Sequence, residues 1–330
     1  MMGDVFEIGT VRCARGSMAS GHIESVYLRD GGRCRIPLIV LHGAQAGPVL
    51  WVGSTVHGDE IPGCEVIRRL TREILDPRRM KGTLIAAPVQ HPIAYFDSSR
   101  LTMHDGVNIN RVFPGDPKGT LTQRLAYDLF HAGIARSDVV LDIHSNAPGA
   151  VSFNIVRAGG SGQAWDAQWG LAEAFGITIA VGRIGQTGLS GMLQDAALDA
   201  GKPALTVELS GGYFWEEPSV RAGVTGVLNV MKFLGMLEGS REAQMEVQVI
   251  PGRLTNRHYL TCNTGGLVRP LKPIGARVTR DEPVVAVYDV FGNELEVLRS
   301  PIDGWVITYP VAGNRTAASG DYLAFVFGTE

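Results

Sequence analysis

The chain divides by its hydrophobic rhythm. From residue 5 to about 41, apolar and polar positions alternate. VFEIGTV, HIESVYL and RIPLIVL predict strands, with GSMASG and DGGR as glycine-rich turns between them. The run GAQAGPVLWVGSTV predicts a buried strand that ends just before His57. Residues 64–75 then carry Val66, Ile67, Leu70 and Ile74 at helical spacing, and Asp76-Pro77 stops that helix. GTLIAAPVQ reads as a strand and HPIAYFDSSR as a loop. LTQRLAYDLFHAGI reads as an amphipathic helix, and SDVVLDIHS as a near-continuous apolar strand ending on His144. AWDAQWGLAEAFG (helix), ITIAVGRIG (strand) and GMLQDAALDAG (helix, capped by Gly201) follow. KPALTVELSGG is a strand ending at Glu208, and SVRAGVTGVLNVMKFLGML is the last long helix.

Strands alternating with helices over residues 40–237 predict an α/β fold, a mainly parallel sheet covered by helices on both faces. After about residue 245 the helical period is gone. GGLVRPL, EPVVAVYDV, NELEVLRS, DGWVITYPV and DYLAFVFG predict short strands separated by turn signals. The expectation is therefore two domains. Residues 1–240 form the α/β unit with its N-terminal strands at 5–41, and residues 241–330 form an all-β unit, joined by the charged hinge EGSREAQMEVQ.

Composition narrows the function classes. With 330 residues, 45% hydrophobic and 19% charged, the chain can bury two cores. A net charge of −3 gives no nucleic-acid footprint and no basic membrane patch. No apolar run reaches the length of a membrane span, and MMGDVFEIGT lacks the layout of a signal peptide. Cys13, Cys34, Cys64 and Cys262 are scattered without a CxxC pair, which predicts reduced thiols in a cytoplasmic protein.

The chemistry collects at strand ends. His57 and Glu60 lie three residues apart in STVHGDEIPG, just past a strand, where ligands bind in open α/β sheets. Pro62 suits the first turn of the helix that follows. His144 ends a second strand 87 residues after His57, and Glu208 ends a third. Two His and one Glu are a standard protein ligand set for catalytic zinc, the fourth position being left to water. Asp142 shares a strand face with His144 and can fix its ring, as metal-bound imidazoles require. Glu208 is the candidate general base, later general acid. Each residue also has a plainer reading: a polar turn around Glu60, a satisfied strand-end His144, an ion-pairing Glu208.

Residues 97–115, DSSRLTMHDGVNINRVFPG, form a loop holding Asn108, Asn110 and Arg111, with Arg100 earlier in it. Arginine suits two-pronged carboxylate recognition. Arg100 could meet the oxyanion of a tetrahedral intermediate. Both arginines would otherwise be surface residues. His91 and His104 read as loop residues near the site, and His22, His42, His131 and His258 as structural.

In this order, HGDE, the NINR loop, DIHS and VELSGG resemble the succinylglutamate desuccinylase/aspartoacylase family, of zinc-carboxypeptidase-like fold, over roughly residues 45–235. The resemblance implies one zinc held by His57, Glu60 and His144, water activation by Glu208, substrate binding by Asn110 and Arg111, and an oxyanion role for Arg100. SSR…DGVNINRVFPG resembles the bacterial branch with N-acetyl-diaminobutyrate deacetylases. For a side-chain carboxylate, the candidates are Arg157 and Arg183. SPIDGWVITYPVAGNRTAASGDYLAFV resembles half of a biotinyl/lipoyl-like barrel, but DVFGNEL carries no lysine to modify. That unit is expected to be a lid or oligomer contact, with Tyr288 and Arg269 able to reach the site.

The function expected is zinc-dependent removal of an acyl group from the nitrogen of a small amino-acid-like substrate, with a second copy of the chain as a candidate partner. The alternatives are a zinc carboxypeptidase on short peptides and a non-catalytic binding protein of the same fold.

Overall fold

The fold is seen in a computed structural model that describes residues 4–183, 190–310 and 315–329. A hairpin, β1 (Val5–Ile8) and β2 (Val11–Ala14), leads into β3 (Ser17–Tyr27) and β4 (Arg33–His42). Then come β5 (Gln45–Ser54), α1 (Pro62–Arg69), β6 (Lys81–Ala87), α2 (Pro92–Phe96), α3 (Leu121–Asp128) and β7 (Val139–Asn146). β8 (Phe153–Ala158), α4 (Gln163–Phe175), β9 (Thr178–Arg183), α5 (Leu193–Asp199), β10 (Ala204–Ser210) and α6 (Glu217–Phe233) complete the α/β part. β11 (Arg253–Leu254) follows the hinge.

Among the described residues these strands form a nine-stranded sheet in the order β11-β9-β8-β10-β7-β5-β6-β4-β3. It is mixed and mainly parallel. β5, β6, β7 and β10 run the same way, while β8 runs against β10 and β4 against β6. The expected α/β class holds. Side-chain alternation along each strand feeds two cores. Leu141, Ile143, Val207 and Leu209 face α1, α4 and α6 through Val66, Ile67, Leu171, Phe175, Val220 and Val227. Trp51, Val140 and Ala204 face α3 and α5 through Leu125, Leu193 and Ala197. Asp142, His144 and Glu208 share the face of Val140 and Ala204 by strand period, so the second core ends in polar chemistry at the strand tips.

Several segments differ from the sequence expectation. GSMASG is the start of β3, because Ser17 to Gly21 pair in register with His42 to Leu38 and the ladder overrides the turn-like composition. HPIAYF is a short helix, α2, opened by Pro92 at its first turn. VSFNIVRA holds β8, an extra strand between β9 and β10.

The C-terminal module contains β12 (Asn256–Thr261), β13 (Gly266–Pro270), β14 (Arg277–Val278), β15 (Pro283–Tyr288), β16 (Glu294–Arg299), β17 (Gly304–Thr308), β18 (Thr316–Ala317) and β19 (Tyr322–Gly328). They form two antiparallel sheets, β12-β19-β17-β14 and β16-β15-β13-β18, over a core that includes Leu260, Val285, Val306 and Leu323. The module is knitted to the large sheet. β11 pairs with β9, the Val151 N–H donates to Ile307 O at 2.9 Å, and Phe153, Ile155, Ile307 and Phe327 share one buried cluster. Phe153 and Phe327 meet edge to face at 5.7 Å.

Two backbone features aim the loop after β5. Thr55 has φ of 56°, a costly value for a β-branched residue, immediately before the functional stretch. Gly58 presses on α2, where a Cβ would stand 1.9 Å from Ala94 O. Gly58→Ala should therefore destabilise the protein by about 1–3 kcal/mol, the usual cost of overpacking. Urea unfolding checks this; an unchanged midpoint would mean that the two segments are not held together.

Candidate metal centre

The loop after β5 and the tip of β7 bring His57, Glu60 and His144 together, all buried, with one donor atom from each lying within 4.8 Å of the others. Glu60 is the hub. Its Oε1 is 2.7 Å from His57 Nδ1, and its Oε2 is 2.7 Å from His144 Nδ1. Each ring is held from behind. His57 Nε2 is 3.2 Å from Asn108 Oδ1, and His144 Nε2 is 2.8 Å from Asp142 Oδ2. With both Nε2–H groups donating to oxygen, each Nδ1 turns a lone pair toward the Glu60 carboxylate.

Converging lone pairs need a positive charge among them, and the local electrostatics says so. Burial opposes charge on Glu60, but His57 and His144 outweigh it and hold the carboxyl well below its ordinary value. Burial likewise opposes charge on His144, yet Asp142 and Glu60 lift it well above the usual imidazole range. His57 is kept low by burial. Two imidazole nitrogens and a carboxylate oxygen, each ring oriented by an oxygen behind it, suit a zinc-like divalent cation in donor type and number.

The support runs deeper than the ligands. Gln90 donates from Nε2 to Asp142 Oδ1 at 2.8 Å and accepts from Trp51 Nε1 at 3.0 Å. Gly53 makes the room, since a Cβ there would lie 2.3 Å from the Gln90 side chain. A buried line thus runs from Trp51 through Gln90 and Asp142 to His144. Gln90 has no signature in sequence; its position one residue before His91, facing β7, is visible only in the fold. His91 is also buried. Its Nδ1 is 3.2 Å from Val56 O and its Nε2 is 3.0 Å from Thr102 Oγ1. It ties the metal loop to the 97–115 loop, more central than a loop residue beside the site.

The other expected residues gather around this centre. Glu208 stands across from His144 in the β10–β7 register, and Asn146 Nδ2 donates to its Oε2 at 3.1 Å. It is only partly exposed, and burial pushes its carboxyl up to about 7 against the pull of His144. Arg100 reaches in from solvent, donating to Glu60 Oε1 at 2.7 Å, with the same nitrogen 3.2 Å from His57 Nδ1. Asn110 is buried. Its Oδ1 accepts from Leu193 N at the start of α5, and its Nδ2 lies 3.4 Å from His144 Nε2. Arg111 donates to Asn110 O at 2.7 Å and is less basic than usual, through burial and through Arg100 and Arg157.

Arg157 is buried and grips Asp195 through Nε at 2.6 Å. Arg183 ends β9 and is exposed. Tyr288 donates to Glu294, and Arg269 is exposed on β13. His104 is exposed next to Arg29, while His42 is buried beside Thr83.

A mixed sheet with a buried His-Glu-His group at its strand tips defines an α/β protein equipped to hold a metal. The chain belongs to the succinylglutamate desuccinylase/aspartoacylase family, whose catalytic-domain model matches residues 46–234. It is 28% identical over 264 residues to N-alpha-acetyl-L-2,4-diaminobutyric acid deacetylase of Halomonas elongata, covering 78% of this chain and 75% of the relative. Its fold is similar to the product-bound ectoine utilization protein of Ruegeria pomeroyi (TM-score 0.85, 24% identity, all of both chains covered). A succinylglutamate desuccinylase/aspartoacylase structure from Rhodobacter sphaeroides is also similar, with TM-score 0.83, 27% identity and 95% of both chains covered. Among the described residues, no helix is long and apolar enough to cross a membrane.

Two outcomes follow. Asp142→Asn should weaken metal binding about 10–100-fold, the usual effect of removing a ring-orienting carboxylate. Calorimetric zinc titration checks it, and unchanged affinity would remove Asp142 from the site. Burial depresses His91 to about 4, below the ordinary 6.5, so it must charge on unfolding as the solution acidifies. Its contribution is present above pH 6.5 and is lost as pH falls through 4, up to about 3 kcal/mol. His91→Gln should flatten that part of the pH–stability curve, and an unaltered slope would contradict the assignment.

Proposed function

We propose that the protein is a zinc-dependent amidohydrolase that removes an acyl group from the nitrogen of a small amino-acid-like substrate. The reading rests on one observation above the rest: Glu208 stands in register beside His144, next to a buried donor set fit for a metal. His57, Glu60 and His144 would hold one zinc. Bound there, it would polarise the acyl carbonyl and lower the pKa of water. The similarity to a deacetylase of N-alpha-acetyl-L-2,4-diaminobutyric acid supports an acyl–nitrogen bond as the target.

The chain's own groups then divide the work. Glu208 takes the proton of the attacking water and returns it to the leaving amine. Its burial favours holding a proton between these two events. Arg100, long and half-exposed, lies on Glu60 and would meet the oxyanion as charge develops on the acyl oxygen. Arg111 receives the substrate carboxylate, with its guanidinium oriented by the backbone carbonyl of Asn110. Asn110 is itself fixed by α5. The four cysteines are free thiols, which suits the reducing cytoplasm.

Glu208→Gln should keep bound metal yet lower kcat by about two to four orders of magnitude on N-acetyl amino acids. Near-wild-type turnover with full metal content would refute the base assignment. Peptides of increasing length should be hydrolysed far more slowly than N-acyl amino acids. Faster cleavage of peptides would make the protein a carboxypeptidase instead.

A further inference from the structure

We propose that Trp51 and Gln90 are positioning residues for the metal centre: together they fix which way the hydrogen bonds run into His144, and so which of its ring nitrogens is left free for a cation. The proposal rests on the reading of His144 as a metal ligand and adds the device that sets its tautomer.

Four side chains stand in line, with Trp51 and Gln90 fully enclosed and Asp142 and His144 nearly so. Trp51 Nε1 donates to Gln90 Oε1 at 3.0 Å, Gln90 Nε2 donates to Asp142 Oδ1 at 2.8 Å, and Asp142 Oδ2 lies 2.8 Å from His144 Nε2. An indole N–H donates and never accepts, whereas a side-chain amide does both and can turn end over end. With its oxygen claimed by Trp51, Gln90 offers only its NH2 group inward. Position 142 must therefore accept on that side. A carboxylate accepts on its other side too, so His144 Nε2 carries the proton and Nδ1 keeps its lone pair toward Glu60.

The fold makes room for this line. Trp51 lies on β5, in register with Ile85 of β6 and Val140 of β7. Two residues on, Gly53 is the register partner of Asp142, and Gln90 occupies the space of its missing side chain, where a Cβ would lie 2.3 Å from the amide. The Gln90 backbone N–H donates to Ser54 O at 2.9 Å, which pins Gln90 to the end of the same strand. A competing donor stands close by. Asn110 Nδ2 is 3.4 Å from His144 Nε2 and favours the opposite tautomer. Its oxygen is held by Leu193 N, so this amide does not turn. The line from Trp51 has to outweigh it.

Exchanging the carboxylate and the amide tests the direction of the line. Asp142→Asn leaves an amide whose oxygen is claimed by Gln90, so its NH2 group meets His144 Nε2 and favours the wrong tautomer. In Gln90→Glu/Asp142→Asn, the carboxylate at position 90 accepts from both Trp51 and position 142, and an amide oxygen again faces His144. In calorimetric titration of the full chain, the exchanged protein should bind zinc about tenfold more tightly than Asp142→Asn alone, recovering much of what loss of a ring-orienting carboxylate costs. Affinity no better than in Asp142→Asn would overturn the proposal, because Gln90 would then only fill space. Trp51→Phe/Asp142→Asn is the second probe, and it serves if the exchanged protein does not fold. Without the indole N–H, the Gln90 amide is free to turn and accept from position 142. Zinc binding should then be several-fold tighter than in Asp142→Asn, although a large buried ring has been replaced by a smaller one. Equal or weaker binding would overturn the role of Trp51. Urea unfolding of the metal-free proteins separates this proposal from the metal reading. A wild type that takes up no zinc would end the metal reading. An unfolding midpoint lowered in Asp142→Asn and restored by the exchange would still keep the polarity of the line, and a midpoint not restored would end that as well.

Discussion

The placement of one carboxylate between two imidazoles governs this structure. Glu60 is buried, and both its oxygens face ring nitrogens whose opposite sides are already committed to Asn108 and Asp142. Such a cluster is tolerable only with positive charge in or against it. The lifted basicity of His144 and the guanidinium of Arg100 lying on Glu60 are two expressions of that demand. A divalent cation is a third, and the one that also gives the cluster a chemical use.

Much of the fold serves to keep those atoms together. Parallel pairing of β5, β7 and β10 sets three strand tips side by side, so residues far apart in the chain become neighbours. The strained turn at Thr55 and the bare flank of Gly58 shape the loop that carries His57 and Glu60. Gln90 and His91 fasten the loop after β6 to the ligands' supports. The C-terminal module packs on the large sheet through Phe327 against Phe153, the register neighbour of Glu208.

Legibility in the sequence followed the physics of each signal. Strands with period two or continuous apolar runs, and helices with period 3.6, were readable because burial imposes those patterns locally. His57 and Glu60 are readable because they follow such a strand, and His144 and Glu208 because they sit near the ends of two more. GSMASG looks like a turn because its pairing with β4 is a long-range fact that its own composition does not carry. The strands after the charged hinge, in RLTNRHYLT, carry too few apolar positions to announce themselves. Gln90 could not be found at all: nothing in its neighbours announces that it will meet Asp142 across the sheet. Supporting residues are defined by what they touch, and contact is what a single sequence carries least.

X-ray absorption at the zinc edge, on protein purified without chelator, tests the central claim most directly. The account predicts one zinc per chain with a nitrogen/oxygen shell containing two imidazoles, lost in Glu60→Ala. Protein that takes up no zinc, a shell containing sulfur, or a spectrum unchanged in that variant would contradict it.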